Sequence, residues 1–263
     1  MFPTQPKSVD ISSGFRTSGR QQSSRRRGWH KESTSYINNP SKMQEREKVL
    51  SFMLSNHKRG HLNVLTLPGE RWIFEQMLDK EYPKSTFFGI EADPRLFETS
   101  KNYLIAPTNH RDKKVRHGVL ELGEASIPYS NTLRKSRLLN MPASEFCLTS
   151  VRGYGASNKA VNAFKRMFCN NHAVWFDFTS QLCTETENTI RYTSLVTSTA
   201  NNVPVVYTML NARDSHSGVD SRVSRVCKLA GAYFDYKDHW TYQGMNNVPM
   251  LTVCGIMRKA DQS

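Results

Sequence analysis

Thr86-Phe87-Phe88-Gly89-Ile90-Glu91-Ala92-Asp93-Pro94 is the stretch that decides the architecture of this chain. Thr86 to Ile90 predicts a buried strand, Glu91 follows it, and Asp93-Pro94 opens a helix with Asp93 as N-cap and Pro94 at the first helical position. Just upstream, Leu62-Asn63-Val64-Leu65-Thr66-Leu67 predicts another buried strand and Pro68-Gly69 a turn. Glu70 to Lys80 then carries Ile73, Phe74, Met77 and Leu78 on one helical face. Two strands joined by a helix of this length predict a right-handed parallel βαβ unit.

The pattern continues outward in both directions. On the N-terminal side, Ser41 and Gln44 fit a capping box; Met43, Leu50, Met53 and Leu54 follow at near-helical spacing, and Gly60 ends the helix. On the C-terminal side, Asn109 to His117 and Arg134 to Arg137 are charged, and Gly118 to Tyr129 has no clear period. Leu138-Leu139 suggests a short strand, followed by Pro142 to Phe146, and Ser157 caps a helix running to about Cys169. His172 to Phe176 predicts a strand ending at Asp177, Glu185 to Ala200 a Thr-rich helix, and Val203 to Leu210 a further buried strand. Asn211 to Gly218 is a polar loop, and Val219 to Leu229 a helix stopped by Gly231. Phe234–Gln243 and Met250–Met257 are extended runs joined by a short connection, hence an antiparallel hairpin. The expected fold is α/β: a three-layer Rossmann-like sheet with parallel strands starting near Leu62, Thr86, Ala173 and Val203, helices on both faces and the run near Met250 antiparallel.

Composition divides the chain into a basic arm, residues 1–40, and one domain, residues 41–263. Of 263 residues 38% are hydrophobic, and the net charge is +13; the mean hydropathy of −0.58 is low for a globular protein. The first 42 residues hold eight Lys/Arg against two Asp/Glu, a net +6, which leaves +7 for the remainder. The arm is rich in Ser, Gln, Arg and Asn and has too little apolar surface to offset the entropy of ordering, so it is expected to be disordered. Arg25-Arg26-Arg27 followed by Trp29 suits phosphate neutralisation and base stacking. Arg111, Lys113, Lys114, Arg116, Arg134, Lys135 and Arg137 form a second candidate nucleic-acid surface. Such a charge balance favours RNA, DNA or an anionic membrane surface; a soluble basic protein, a solubilising tail or a targeting address is the plainer alternative. No apolar run approaches the roughly 18–20 residues of a membrane span, and the N-terminus lacks a secretory apolar core. Five cysteines stand alone, with no C-x-x-C and no ligand spacing for zinc, which predicts free thiols in an intracellular, reducing compartment and no metal.

The order of elements from Ser41 to Lys259 resembles the class I, Rossmann-like S-adenosylmethionine-dependent methyltransferase superfamily, of which the chain would be a divergent member. The resemblance implies that Phe88 to Pro94 is the second-strand segment, with Glu91 on the ribose hydroxyls. It makes Phe176-Asp177-Phe178 the fourth-strand end, with Asp177 beside the transferred methyl. Pro68, Gly69 and Glu70 would surround the methionine part of the cofactor, and Ser144 would lie in the loop touching adenine. Departures are clear. Of the two or three glycines usual in the first loop only Gly69 is present, and the acidic residue that precedes them is missing. Asp177-Phe178-Thr179-Ser180 replaces the D/N-P-P-Y/F sequence of amino-methylating members, and no cysteine has the Pro-Cys context of the cytosine-C5 enzymes. Ribose 2′-O transfer uses a Lys/Asp/Lys/Glu set, of which Asp177 supplies one member.

Other readings remain open. A dinucleotide oxidoreductase would need a G-x-G-x-x-G that is absent. Arg152-Gly153-Tyr154-Gly155 suits a phosphate cradle or a plain loop. Asn211, Arg213 and His216 are pocket-rim candidates, while Asp214, His216 and Asp220 lack metal-ligand spacing. The sequence thus predicts a methyltransferase-like protein acting on or binding nucleic acid, RNA before DNA. The alternatives are a catalytically inactive nucleic-acid-binding module of the same fold and a structural or assembly protein with an Arg-rich packaging arm.

Overall fold

A computed structural model describes residues 39–57, 62–69, 72–83, 85–105, 117–120, 125–128, 137–152, 173–197, 202–211 and 218–258. In chain order the elements are α1 (Pro40–Ser55), β1 (Asn63–Thr66), α2 (Ile73–Glu81), β2 (Thr86–Glu91), α3 (Pro94–Ile105), β3 (His117–Leu120), β4 (Ala125–Pro128) and β5 (Arg137–Asn140). Then follow α4 (Ala143–Arg152), β6 (Ala173–Asp177), α5 (Thr184–Thr197), β7 (Val203–Leu210), α6 (Val219–Ala230), β8 (Phe234–Gln243) and β9 (Pro249–Met257).

Seven strands form one sheet in the order β5-β2-β1-β6-β7-β9-β8. The first five are mutually parallel, with helices in the crossovers from β1 to β2, from β2 to β5 and from β6 to β7. β9 runs antiparallel to β7 and to β8, as the short connection between β8 and β9 requires. The apolar runs at β1, β2, β6 and β7 therefore mark strands covered on both faces.

Paired residues share a face of the sheet, and the two faces differ in chemistry. One face packs Phe88 against Phe146 of α4, with ring centroids 5.3 Å apart, and stacks Phe176 beside Tyr207 at 6.5 Å. α5 packs on α4 and α6 on α5, which closes this apolar layer. The other face lies under α1, α2 and α3; there Phe74 of α2 meets Trp175 edge-on at 4.3 Å. Gly89 sits on this face, where a Cβ would come within 2.7 Å of Trp72, 2.8 Å of Pro68 and 2.9 Å of Leu138. Glycine is used there for close approach of side chains from the first loop.

Several local expectations are corrected. The cap of α1 is Asn39 and not Ser41: the Asn39 side chain accepts from the Ser41 N–H at 2.9 Å, and Pro40 holds the first helical position. An Asn followed by Pro forms as good a start as the capping box, and it lies closer to the end of the arm. The described chain starts at Asn39, inside the segment assigned to the arm; residues 1–38 of that segment lie outside the described residues. The buried residues of α1 are Lys42, Glu45, Arg46, Val49 and Met53, three of the five charged; of the expected apolar set Met53 is among them, and Leu50 and Leu54 pack partly buried against the core. Gly118 to Tyr129, unassigned from its pattern, contains the antiparallel ribbon β3–β4. The helix expected from Ser157 to Cys169 lies outside the described residues. No helix among the described residues is long and apolar enough to cross a membrane.

Candidate functional site at the carboxyl ends of the parallel strands

In an open parallel sheet the chain departs in opposite directions from one switch point, and ligands bind outside the carboxyl ends of the strands there. Here that point lies between β1, from which the chain moves to β2 and β5, and β6, from which it moves to β7. The ends that meet it are Thr66 of β1, Glu91 of β2 and Asp177 of β6.

Glu91 is half-buried, and its Oε1 accepts the Asp93 backbone N–H at 2.8 Å. Burial raises its pKa, against the lowering effect of that N–H. Asp93 in turn caps α3, accepting the Arg95 N–H at 2.9 Å, as the Asp-Pro sequence predicts. Ala92, Asp93, Pro94 and Arg95, the four residues after it, line an open depression. On the far side Asn140 Nδ2 donates to the Glu91 carbonyl at 2.9 Å, so β5 fixes the strand end.

The first loop is built unlike a glycine-rich one. Gly69 takes a left-handed φ of +62°, and its carbonyl accepts the Ser100 hydroxyl at 2.5 Å. Trp72, at φ 51°, is fully buried and donates its indole N–H to the Ser100 carbonyl at 3.3 Å. Pro68 and Trp72 therefore supply bulk over Gly89. Glu70 lies outside the described residues. Ser144, at the start of α4, has both its N–H and its hydroxyl on Glu185, at 3.1 and 2.6 Å.

Asp177 is the member of the set with the richest surroundings. Lys42 of α1 reaches it with Nζ 2.6 Å from Oδ2; the lysine is 1% exposed and the aspartate 18%. The same ammonium donates to the Tyr242 hydroxyl at 2.9 Å and lies over the rings of Trp175 and Tyr242, 5.5 and 5.4 Å from their centroids. Burial and the Asp177 charge push the Tyr242 hydroxyl pKa up, which keeps it a neutral phenol.

A polar row continues from Asp177 across β7, β9 and β8 through the register pairs Asp177–Thr208, Thr208–Thr252 and Thr252–Trp240. Glu45 of α1 drops into this row. Thr208 donates to its Oε1 at 3.2 Å, Thr252 donates to the same oxygen, and the Trp240 indole donates to Oε2. Trp175 donates its indole N–H to Thr208 at 3.0 Å. Burial raises the Glu45 pKa, partly offset by Thr252, Trp240 and Lys42. α2 adds Glu75, fully buried, whose Oε1 accepts the Thr66 hydroxyl at 2.8 Å. Its Oε2 has no hydrogen-bond partner, and desolvation lifts its pKa to about 7.

The structure thus gathers Glu91, Pro68, Gly69 and Asp177 at one edge of the sheet and adds Lys42, Glu45, Glu75 and Tyr242, which the sequence did not single out. Lys42 is far from Asp177 in the chain, and no motif connects them. The only trace was that α1 carries charge where an apolar face was expected. The basic candidates Arg25, Arg26, Arg27, Arg111, Lys113, Lys114, Arg116, Arg134 and Lys135 lie outside the described residues; Arg137 opens β5, but its side chain does too. Among the described residues no group of three or more His, Cys, Asp or Glu is placed to hold a metal ion.

Five parallel strands visited in opposite directions from the point between β1 and β6, an antiparallel hairpin completing the sheet and helices on both faces define an α/β, Rossmann-like fold with the element order expected from the sequence. No protein-family model matches the chain, and no curated protein does. Among solved structures it is similar to a chain of a fibrillarin/Nop5p complex, at 13% identity and TM-score 0.46 over 79% of each chain. The N-methyltransferase NodS from Bradyrhizobium japonicum is 10% identical at TM-score 0.46, over 84% of this chain and 99% of that one. Human methyltransferase-like protein 13 in complex with S-adenosylhomocysteine is 11% identical at TM-score 0.46, over 83% and 84%.

Proposed function

We propose that this protein is an S-adenosylmethionine-dependent methyltransferase acting on nucleic acid, RNA before DNA, in a reducing intracellular compartment. The observation that carries the reading is Glu91: a half-buried carboxylate at the end of the second parallel strand, held by the Asp93 backbone N–H at the switch-point edge of the sheet. A ribose diol offers two donors to such a group.

The remaining residues suit the cofactor at one further point. Glu75 of α2 reaches the end of β1 through Thr66, and its buried Oε2 has no hydrogen-bond partner; an ammonium group there would draw the carboxyl into its ionised form. When bound, the cofactor supplies the electrophilic methyl for an in-line displacement. The chain's own part is positioning and proton handling. Asp177 would accept the proton of the attacking group, and Lys42 fixes its orientation by an ion pair buried on the lysine side. Lys42 and Asp177 are also two of the four residue types that ribose 2′-O transfer uses, which favours a hydroxyl acceptor. The basic arm and the +7 of the remaining chain support the choice of a polyanionic substrate.

Transfer of labelled methyl from S-adenosylmethionine to RNA tests the reading. The wild type labels RNA, and Asp177→Asn lowers the rate by roughly 10²–10⁴, the worth of a general base, while leaving S-adenosylhomocysteine affinity within about twofold. Equal labelling by wild type and variant removes Asp177 from the chemistry.

A second reading is favoured by Pro68 and Trp72, which fill the space over Gly89 where a glycine-rich loop leaves backbone exposed. On that reading the fold has kept the nucleic-acid surface and given up the cofactor.

A further inference from the structure

Lys42 holds two oxygens at the carboxyl edge and leaves hydrogen-bonding capacity on both. Its ammonium lies 2.6 Å from Asp177 Oδ2 and donates to the Tyr242 hydroxyl at 2.9 Å. A lysine ammonium only donates, so the Tyr242 oxygen is the acceptor and the phenol's own O–H is not spent in this contact. Among the described residues that O–H meets no acceptor, and no hydrogen bond joins Tyr242 to Asp177. Lys42 is the side-chain partner of Asp177 among the described residues, and a carboxylate accepts up to about four hydrogen bonds. The pair therefore presents one donor and one acceptor.

Both face outward. Lys42 is 1% exposed and Asp177 18%, while Tyr242 is half-buried. Solvent reaches the aspartate and the phenol, with the ammonium behind them. Tyr242 comes from the end of β8, and β7 and β9 lie between it and β6, so its side chain reaches back across the sheet to this point. Burial and then the Asp177 charge push its pKa up, which keeps it a proton donor.

Spacing supports a shared ligand. An ammonium directs its N–H bonds at tetrahedral angles, so contacts of 2.6 and 2.9 Å set the two oxygens about 4.5 Å apart. A hydroxyl that donates to one oxygen and accepts from the other, at about 2.7 Å each, spans roughly the same distance.

We propose that Asp177 and Tyr242 form a seat for one hydroxyl group, Asp177 accepting its proton and Tyr242 donating to its oxygen, and that this seat selects an alcohol over an amine as the methyl acceptor. The inference rests on the proposed transferase reading and names the acceptor that reading takes. A hydroxyl oxygen has one proton and two lone pairs. On this seat the proton goes to Asp177, one lone pair takes the Tyr242 O–H, and the other is left to attack. In the transfer the O–H bond breaks towards Asp177, a C–O bond forms to the methyl, and the S–C bond breaks with its electrons left on sulfur. Tyr242 stabilises the negative charge that the oxygen gains as its proton leaves. Asp177 then gives the proton to solvent on its exposed side. A neutral amine has a single lone pair, and a Tyr242 donor occupies the pair that must attack. A ribose 2′-hydroxyl suits the seat, and its 2′-amino analogue does not.

The test compares the full chain with Tyr242→Phe, which keeps the ring beside Lys42 and removes one oxygen at a half-buried strand end. The substrate is a random-sequence RNA pool transcribed with 2′-hydroxyl or with 2′-amino pyrimidines. With S-adenosylmethionine the wild type should label ribose in the hydroxyl pool at least about tenfold faster than the amino pool. Tyr242→Phe should slow labelling of the hydroxyl pool by roughly 10- to 100-fold, the worth of one hydrogen bond to a developing charge, and lower the preference for hydroxyl over amine by about tenfold or more. A second readout needs no turnover. The full chain is isotope-labelled at tyrosine Cζ, and the Tyr242 resonance is identified by its loss in Tyr242→Phe. With S-adenosylhomocysteine present, the hydroxyl pool should shift that resonance, and DNA of the same sequences should leave it in place. Equal losses on both RNA pools, an amino pool that the variant leaves unlabelled, label on the bases, or a resonance that answers alike to RNA and DNA overturns the inference. A wild type that labels neither pool defeats the transferase reading and the inference with it. A Tyr242→Phe variant as active and as selective as the wild type defeats the inference alone.

Discussion

Individual side chains at the carboxyl edge are arranged at a cost to stability. Lys42, Glu45 and Glu75 are each 1% exposed, and Arg46 7%. Well-packed apolar residues in their place would hold α1 and α2 at least as firmly, so the charges serve geometry more than stability. Glu75 makes this measurable, since its pKa is raised from 4.5 to about 7 by desolvation. Between those values the folded chain keeps the proton while the unfolded chain loses it. The contribution to stability is full below the unfolded value and declines as pH rises towards 7, by about 3 kcal/mol in all. Glu45 is shifted in the same direction and adds to the slope. Glu75→Gln should therefore flatten the fall in stability between pH 5 and 7 in urea unfolding, and gain on the wild type at pH 8. Parallel curves for the two proteins would show that Glu75 does not titrate in this range. None of this was legible in the sequence, because Thr66 and Glu75, like Lys42 and Asp177, come together only through the fold.

At the scale of elements the sequence was most informative where burial is two-sided. β1, β2, β6 and β7 are continuous apolar runs, and Asp93-Pro94 and Gly231 punctuate α3 and α6 where expected. It was least informative where an element is short or charged. β3 and β4 are four residues each, too short for a period-2 pattern to stand out. α1 was expected with an apolar face, and the structure adds to Val49 and Met53 a charged first half that meets a polar row of the sheet. The closing hairpin was visible because of its two long extended runs, yet its packing depends on one position no pattern reveals. At Gly255 a Cβ would lie 2.5 Å from the Phe234 ring and 2.8 Å from the Asp235 carbonyl. A ring can turn aside, but a backbone carbonyl in a ladder cannot. Gly255→Ala should cost roughly 1–3 kcal/mol by overpacking, with exchange of the β8 and β9 amides rising before that of β1 and β6. Thermal unfolding and hydrogen exchange check it; a variant as stable as the wild type would mean that β8 shifts freely on β9.

For the whole molecule, the layout of the sheet turns a list of residues into a site. Parallel strands on both sides of one switch point bring Thr66, Glu91 and Asp177 to a common edge, and the antiparallel hairpin adds Tyr242 and Trp240. The resemblance read from element order anticipated that edge and its two carboxylates, Glu91 and Asp177. It also anticipated that the first loop would depart from a glycine-rich form, although not that Trp72 would be the residue filling it. On the proposed function this edge binds S-adenosylmethionine and its product with Glu91 on the ribose. Calorimetric titration of the full chain with S-adenosylhomocysteine tests that most directly. Binding should saturate at up to millimolar ligand and be weakened in Glu91→Ala by about 1–3 kcal/mol, or roughly 5- to 150-fold. No heat from the wild type at millimolar ligand, or equal affinity in Glu91→Ala, would contradict it.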